Sequence, residues 1–324
     1  MNGRNSVALP LIIIRMDSED RHGCRGKGKI NLTALKANLN IYSIKTILMK
    51  TMIVPTDFSP ISINAANYAA EMARSINADL SLLHICLLPT TYSEGPYPIE
   101  DIDSLMNGAE EQIIQLKNNL VHRTDRRIAI DTEVRAAATV SGELANYCKL
   151  KKPYAVVMGT QGSSAIERVF FGSNTTNAIK HLAWPVIVVP PEAKFTSIKK
   201  IGLACDLKKV DESIPSSQIR SLVKQFNAEL YILHINSEGE KGFTAEKTIE
   251  SRALQNMLDD LHPFYRFIDY DQIEDGLEEF AETNKLDLLI TVPKRHNIID
   301  KIFHKSHSKK LVMQTHVPVM AIHD

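Results

Sequence analysis

Gly159 and Gly162, two residues apart, are followed after nine more by Gly172 and Ser173. The run Val156-Val157-Met158 ahead of them reads as a hydrophobic strand, so the glycines mark the loop that leaves it. Glycine has no Cβ, and a loop built on it lets backbone N–H groups come close to an anion. Gly172-Ser173-Asn174-Thr175 reads as a helix start, whose unpaired N–H groups and positive dipole end favour phosphate. Strand, glycine loop and helix start together predict a nucleotide-phosphate site. Later in the chain the same stretch has lost its glycines. Matched without gaps, Val292, Arg295 and Lys305 stand at the positions of Gly159, Gly162 and Gly172. Ser306 keeps the Ser173 position and Asp206 keeps that of Asp57. A branched valine resists positive φ, and the arginine and lysine side chains fill space that phosphates need.

The elements that must position these residues are set by the rest of the chain. Its 324 residues suffice for two ordinary domains. Hydrophobic residues make up 44% and charged residues 23%, the balance of a globular protein. The formal net charge is zero, which gives no whole-molecule field for nucleic acid or membrane. Cys24, Cys86, Cys148 and Cys205 form no CxxC pair, which argues against a disulfide framework or zinc ribbon and fits a reducing cytoplasm. No apolar run approaches the roughly 20 residues of a membrane span. The run from Leu9 to Ile14 is closed by Arg15 and Asp17 and lacks the flanks of a secretion signal.

Two units repeat after Met49. Met52-Ile53-Val54-Pro55-Thr56-Asp57 has a counterpart in Ile201-Gly202-Leu203-Ala204-Cys205-Asp206, and Ala78–Ile85 matches Ala228–Ile235 nearly residue for residue. Ala155-Val156-Val157 matches Leu288-Leu289-Ile290, and Trp184–Val188 matches Val317–Ala321. A repeat this long, roughly 130–140 residues, fits a duplicated domain and not a solenoid. Pro190-Pro191-Glu192-Ala193-Lys194 reads as the linker. The predicted domains are 49–190 and 196–324. Residues 1–48 lack the pattern, and the segment before Met49 is expected to be an over-extended start or a poorly ordered tail.

Within the first unit, apolar runs near 52–56, 79–85, 128–134, 154–158 and 186–189 alternate with helix-period segments near 60–76, 103–122, 141–150 and 173–183. Continuous apolar runs imply strands buried on both faces, and strand–helix alternation implies right-handed crossovers and a parallel sheet. Ligands of such sheets bind beyond the carboxyl ends of the strands, where strand order reverses. Asp57, His84 and Gly159 all lie at or just after strand ends.

The segments Ile53-Val54-Pro55-Thr56-Asp57-Phe58-Ser59, Met158-Gly159-Thr160-Gln161-Gly162, Gly172-Ser173 and Pro185-Val186-Ile187-Val188-Val189 resemble the universal stress protein family, here as a tandem pair. That family's nucleotide pattern, G-x2-G-x9-G-[ST], is met without a gap. The resemblance covers about residues 49–324, tightly in the first unit and loosely in the second. It implies two tandem α/β domains of the adenine-nucleotide-hydrolase-like, Rossmann-like kind. Each would hold a five-stranded parallel sheet of order 3-2-1-4-5 with helices on both faces. It also implies ATP as ligand, with Mg²⁺ carried mainly by the nucleotide. Asp57 would lie near the adenosine, with Pro55 and Thr56 on the floor and backbone around Ile85 against adenine. Met158, Gly159, Gln161 and Gly162 would surround ribose and phosphates, and Gly172, Ser173, Asn174 and Thr175 would hold phosphates. The second unit departs from the pattern and is expected not to bind ATP in this manner. The last strands of the two units, Val186–Val189 and Val317–Ile322, are expected to be sheet edges. Such edges pair in the family, which implies a pseudo-two-fold arrangement within one chain and leaves homodimerisation open.

The residues admit blander accounts beside these. The glycines can be turns alone, and Asp57 can cap the following helix. His84 and His234 repeat between units, which favours a fold role over catalysis. Cys86, Cys148 and Cys205 read as small core residues. Lys294–Lys310 reads as a solvated basic face, against a metal pair at His304 and His307 or a nucleic-acid patch. Pro89–Pro98 reads as a flap. No general base with a defined partner, Walker lysine or carboxylate pair for magnesium is visible, so no catalytic residue is assigned. The leading expectation is a cytoplasmic, ATP-responsive stress regulator with at most slow hydrolysis. The alternatives are a Mg²⁺-dependent ATPase or nucleotidyl transferase, and a nucleotide-independent protein-interaction module.

Overall fold

The structure is a computed structural model and describes residues 50–88, 99–160, 173–236, 244–293 and 317–323. The 1–48 extension, the expected flap at 89–98 and the basic segment 294–310 lie outside the described residues. Strands β1 (Thr51–Pro55), β2 (Asp79–Leu87), β3 (Ile130–Ala137), β4 (Ala155–Gly159) and β5 (Val186–Val189) alternate with helices α1 (Pro60–Ile76), α2 (Ile99–Arg123), α3 (Val140–Lys151) and α4 (Ser173–His181). A second series follows: β6 (Lys200–Ala204), β7 (Glu229–Asn236), β8 (Phe264–Asp269), β9 (Leu288–Thr291) and β10 (Val319–Ala321). Between these strands stand α5 (Val210–Ser213), α6 (Ser216–Phe226), α7 (Ala245–Leu258) and α8 (Ile273–Thr283).

The described strands make one sheet in the order β3-β2-β1-β4-β5-β10-β9-β6-β7-β8. Each half therefore runs 3-2-1-4-5, as the family resemblance implies, with parallel pairing throughout. The halves meet where β5 pairs antiparallel with β10, with Val188 opposite Val319 and Val186 opposite Ala321. Each strand's unpaired edge is satisfied there by the other.

Local chemistry explains the elements. Ser59 caps α1 by accepting the Ser62 N–H, and Pro60 follows at the first helical position, where a missing N–H costs nothing. Asn77 closes the helix in the left-handed conformation and donates its N–H to Ala73 O. The inward face of α1 is built from Ala65, Ala66, Ala69, Ala70 and Ala73, all fully buried, so the helix lies close on the sheet. Across the other face, α3 inserts Tyr147, whose hydroxyl lies 2.8 Å from Ser81 Oγ on β2.

Backbone contacts repeat between the halves. Asp79 N–H donates to Lys50 O as Glu229 N–H does to Lys199 O, and Val156 N–H donates to Pro185 O as Leu289 N–H does to Pro318 O. The helices differ, however. Where α1 is continuous, the second half breaks at Pro215, leaving the four-residue α5 detached from α6. Proline cannot donate the bond a continuous helix would need there.

The core is shared unequally. On the α1–α2 side, one apolar cluster runs from Met52 and Leu80 through Ile187 and Met320 to Ile201 and Ile232. On the other side, separate clusters serve α3–α4 and α8. Because Ser81 and Tyr147 are buried and mutually bonded, Tyr147→Phe is expected to cost about 1–2 kcal/mol by orphaning the Ser81 hydroxyl. The double variant Ser81→Ala/Tyr147→Phe should recover part of that loss in urea unfolding, a recovery absent if the pair does not interact.

Candidate functional site

β1 is central in the first half, hydrogen-bonded to β2 on one side and β4 on the other. The chain leaves β1 toward β2 but later returns to β4 on the opposite side, so strand order reverses between β1 and β4. A cleft of about 290 Å³ opens at that point beyond the carboxyl ends of the strands. Pro55, Thr56 and Asp57 line it from β1, His84 and Ile85 from β2, Met158 and Gly159 from β4, and Ser173, Asn174 and Thr175 from the first turn of α4. Ten of the residues singled out in the sequence thus meet in one cleft. Gln161, Gly162 and Gly172 lie outside the described residues.

Each wall is held by a specific bond. The Thr56 N–H donates to Leu83 O, which ties the end of β1 to β2. His84 Nδ1 lies 2.8 Å from Thr56 O, and since a carbonyl only accepts, Nδ1 carries the proton. The imidazole also stacks on Phe58, with ring centroids 4.6 Å apart. Phe58 takes a positive φ of 62°, an uncommon state for an aromatic residue, and its N–H donates to Thr56 Oγ1. At the far wall the Thr175 hydroxyl donates to Gly159 O at 3.1 Å, fixing α4 against the end of β4.

Asp57 does not cap α1. Ser59 is the cap, and Asp57 Oδ1 accepts the Ser59 N–H at 3.0 Å in the turn before it. Burial raises the Asp57 pKa, but hydrogen bonds from the Ser59 and Ser62 hydroxyls and the Ser59 backbone outweigh it and hold the carboxyl below its usual value. A carboxylate so stabilised is a weak proton acceptor.

Gly159 is needed for a different reason from the one its pattern suggests. Its φ is not in the left-handed region. A Cβ there would lie 2.5 Å from Ile61 Cγ2 and 2.9 Å from Ile61 O, because the first turn of α1 presses against the end of β4. Close approach is the constraint.

The second half keeps the turn and changes its surroundings. Leu207, at φ 51°, replaces Phe58 and donates its N–H to Cys205 Sγ, while Lys208 N–H donates to Asp206 Oδ1. His234 Nδ1 lies 2.9 Å from Cys205 O, repeating the His84 contact. Both histidines therefore pin adjacent strands, the fold role expected for them. The surroundings differ: His84 is half-buried on a cleft, whereas His234 is 3% exposed and its Nε2 finds no partner among the described residues. Val292, in the Gly159 position, is buried in the same apolar cluster as Val210 of the detached α5.

Sequence reasoning did not assign Ser59, Ile61, Ser62, Val140 or Thr160 to the cleft lining. Ser59-Pro60-x-Ser62 carries a capping signal that was available. Val140 comes from the start of α3 and has no sequence signal. Cys148 and Cys205 are buried, as expected, while Cys86 is only partly so. Among the described residues, no three potential metal ligands cluster, and no helix is long and apolar enough to cross a membrane.

Residues 49–190 match the model of the universal stress protein family. A universal stress protein of Methanocaldococcus jannaschii is 25% identical over 150 residues, covering 45% of this chain and 85% of that protein. One from Bacillus subtilis is 22% identical over 147 residues, covering 44% of this chain and 99% of its own. Among solved structures, a universal stress protein from Archaeoglobus fulgidus superposes with a TM-score of 0.60 at 16% identity, over 84% of this chain and 96% of that one. This last likeness extends the shared fold across both halves.

The close approach at Gly159 gives a direct expectation. Gly159→Ala should lower stability by about 1–3 kcal/mol, the usual cost of overpacking. Adding Ile61→Ala should restore only part, because the Ile61 carbonyl remains. Denaturant unfolding of Gly159→Ala, Ile61→Ala and the double variant measures both values.

Proposed function

We propose, for a chain whose residues 49–190 match the model of the universal stress protein family, that the first half binds ATP in the strand-end cleft and acts as a cytoplasmic, nucleotide-responsive stress regulator. The observation that carries this reading is the convergence of the ends of β1, β2 and β4 with the first turn of α4. The N–H groups of that turn, at Ser173, Asn174 and Thr175, have no partner within the helix and suit phosphate oxygens. Thr175 spends its hydroxyl proton on Gly159 O, so its backbone N–H is the group left for an anion. In this reading Gly159, Gln161, Gly162 and Gly172 let backbone approach the phosphates, and Met158 borders the ribose. Pro55, Thr56 and Asp57 floor the adenosine, and backbone at Ile85 faces adenine. When bound, Mg²⁺ would travel on the phosphates, since Asp57 is the one carboxylate among the described lining residues.

Slow turnover follows from the same site. Asp57 is stabilised as a carboxylate, which makes it a weak general base. The nucleotide would act by shifting conformation or assembly. The domain reading is 49–190 as the nucleotide-binding unit and 196–324 as a degenerate copy, joined as a pseudo-dimer through β5 and β10. Support for degeneracy comes from buried Val292 in place of Gly159 and from the enclosure of His234.

Calorimetric titration of MgATP into protein stripped of nucleotide tests the reading. One site per chain is expected, lost in Gly162→Arg, which copies the second half, and in Gly172→Lys. No heat and no thermal shift at about millimolar ATP, a concentration that saturates typical nucleotide sites, would reject it.

A further inference from the structure

A second and larger cleft, about 710 Å³, lies on the outer face of α1, away from the strand-end site. It extends toward the amino-terminal edge of the sheet, because the end of α1 leads into β2 and the end of α2 into β3. Its floor is one helical face of α1, with Asn64, Asn67, Glu71, Arg74 and Ser75 at helix-face spacing. One wall is Arg123 and Arg127 at and beyond the end of α2. The other is the linker, Ala193–Thr196.

The linker is a firm wall. Asn64 Nδ2 donates to Pro190 O at 3.0 Å and to Ala193 O at 3.1 Å. The Phe195 ring packs edge-on against Tyr68, with centroids 5.3 Å apart, and lies 6.5 Å from Phe226 of α6. The segment expected to be a simple spacer is thus bonded to the first half and wedged against the second.

The charge of this cleft is lopsided. Arg74, Arg123, Arg127 and Lys194 line it against the single carboxylate Glu71, a formal balance of +3 in a chain whose net charge is zero. Glu71 is already engaged. Its carboxylate lies 2.8 Å from the Arg74 guanidinium and 3.9 Å from that of Arg123, and so aligns both. Arg74 also reaches Asp125 at 3.8 Å. The helix dipole accounts for basic residues in the last turns of α1 and α2, where Arg74 and Arg123 stand. It does not account for Arg127 in the loop before β3 or for Lys194 on the linker. Both are exposed, and neither side chain has an ion pair or hydrogen bond among the described residues.

We propose that this cleft is a second ligand site, for a small anion that carries at least two phosphate groups. Arginine forks recognise phosphate oxygens in pairs, and Lys194 supplies a point charge on the facing wall. The Asn67 amide adds a neutral donor. A single phosphate would leave most of the volume empty, whereas a polyphosphate offers oxygens to both basic walls. A ligand there would bridge helices of the first half to the linker that leads into the second.

The experiment is calorimetric titration of inorganic tripolyphosphate into the full chain. It uses Gly162→Arg, in which the strand-end site is blocked, alone and combined with Arg127→Gln/Lys194→Gln. Saturable one-to-one binding is expected in Gly162→Arg, weakened at least about tenfold by the added pair, since two charge-assisted contacts are removed. Thermal unfolding without ligand should be unchanged by Arg127→Gln/Lys194→Gln, because both side chains are exposed and unbonded. No binding in Gly162→Arg, or equal binding with and without the Arg127/Lys194 changes, would overturn the proposal. Displacement of tripolyphosphate by a short DNA duplex, with tighter duplex binding through the same residues, would overturn the assignment to a small anion. Failure of the ATP reading would show separately, in the ATP titration.

Discussion

The parallel pairing of β1 on both of its edges is the constraint on which the rest depends. With β2 and β4 both running in its direction, three carboxyl ends arrive at one edge, and reversal of strand order between β1 and β4 leaves a gap there. Three short bonds hold the polar groups at the ends of β1 and β4. The Asp57–Ser59 turn starts α1, the His84–Thr56 contact closes β1 on β2, and the Thr175–Gly159 bond anchors α4.

The two halves show how one fold can keep its frame and alter its site. The strand-end turn survives as Cys205-Asp206-Leu207 with the same positive φ and the same histidine contact. What changes is the helix that follows. Pro215 separates α5 from α6, the tight helix-to-strand contact that requires Gly159 has no counterpart, and Val292 is packed instead. The halves nonetheless remain mechanically joined, because the core on the α1–α2 side is continuous across the β5–β10 seam. The linker adds to that union through Asn64 and Phe195. A ligand-driven shift in one half therefore has a packed route to the other.

Much of this was legible in the sequence. Apolar runs and helix periods located α1 at both ends and each strand of the first half to within a few residues, because buried parallel strands and an alanine-faced helix leave strong patterns. The strand-end clustering of Asp57, His84 and Gly159 was also readable from strand order. Less legible were features set by tertiary distance. The need for glycine at 159 comes from Ile61, far away in sequence, and could not be told from a need for positive φ. The positive φ of Phe58 carries no composition signal. β8 did not stand out, since Phe264–Asp269 lies at the edge of the sheet with a half-exposed pattern. The basic cleft on α1 draws its cations from three separate segments.

Hydrogen exchange, with and without MgATP, tests the central claim that nucleotide engages the first half alone. Slower exchange is predicted for backbone at Thr56–Ser59, Ile85–Cys86 and Ser173–Thr175, with no change at Cys205–Lys209 or Ile235–Asn236. Equal protection of the two sets, or protection confined to the second, would contradict the account.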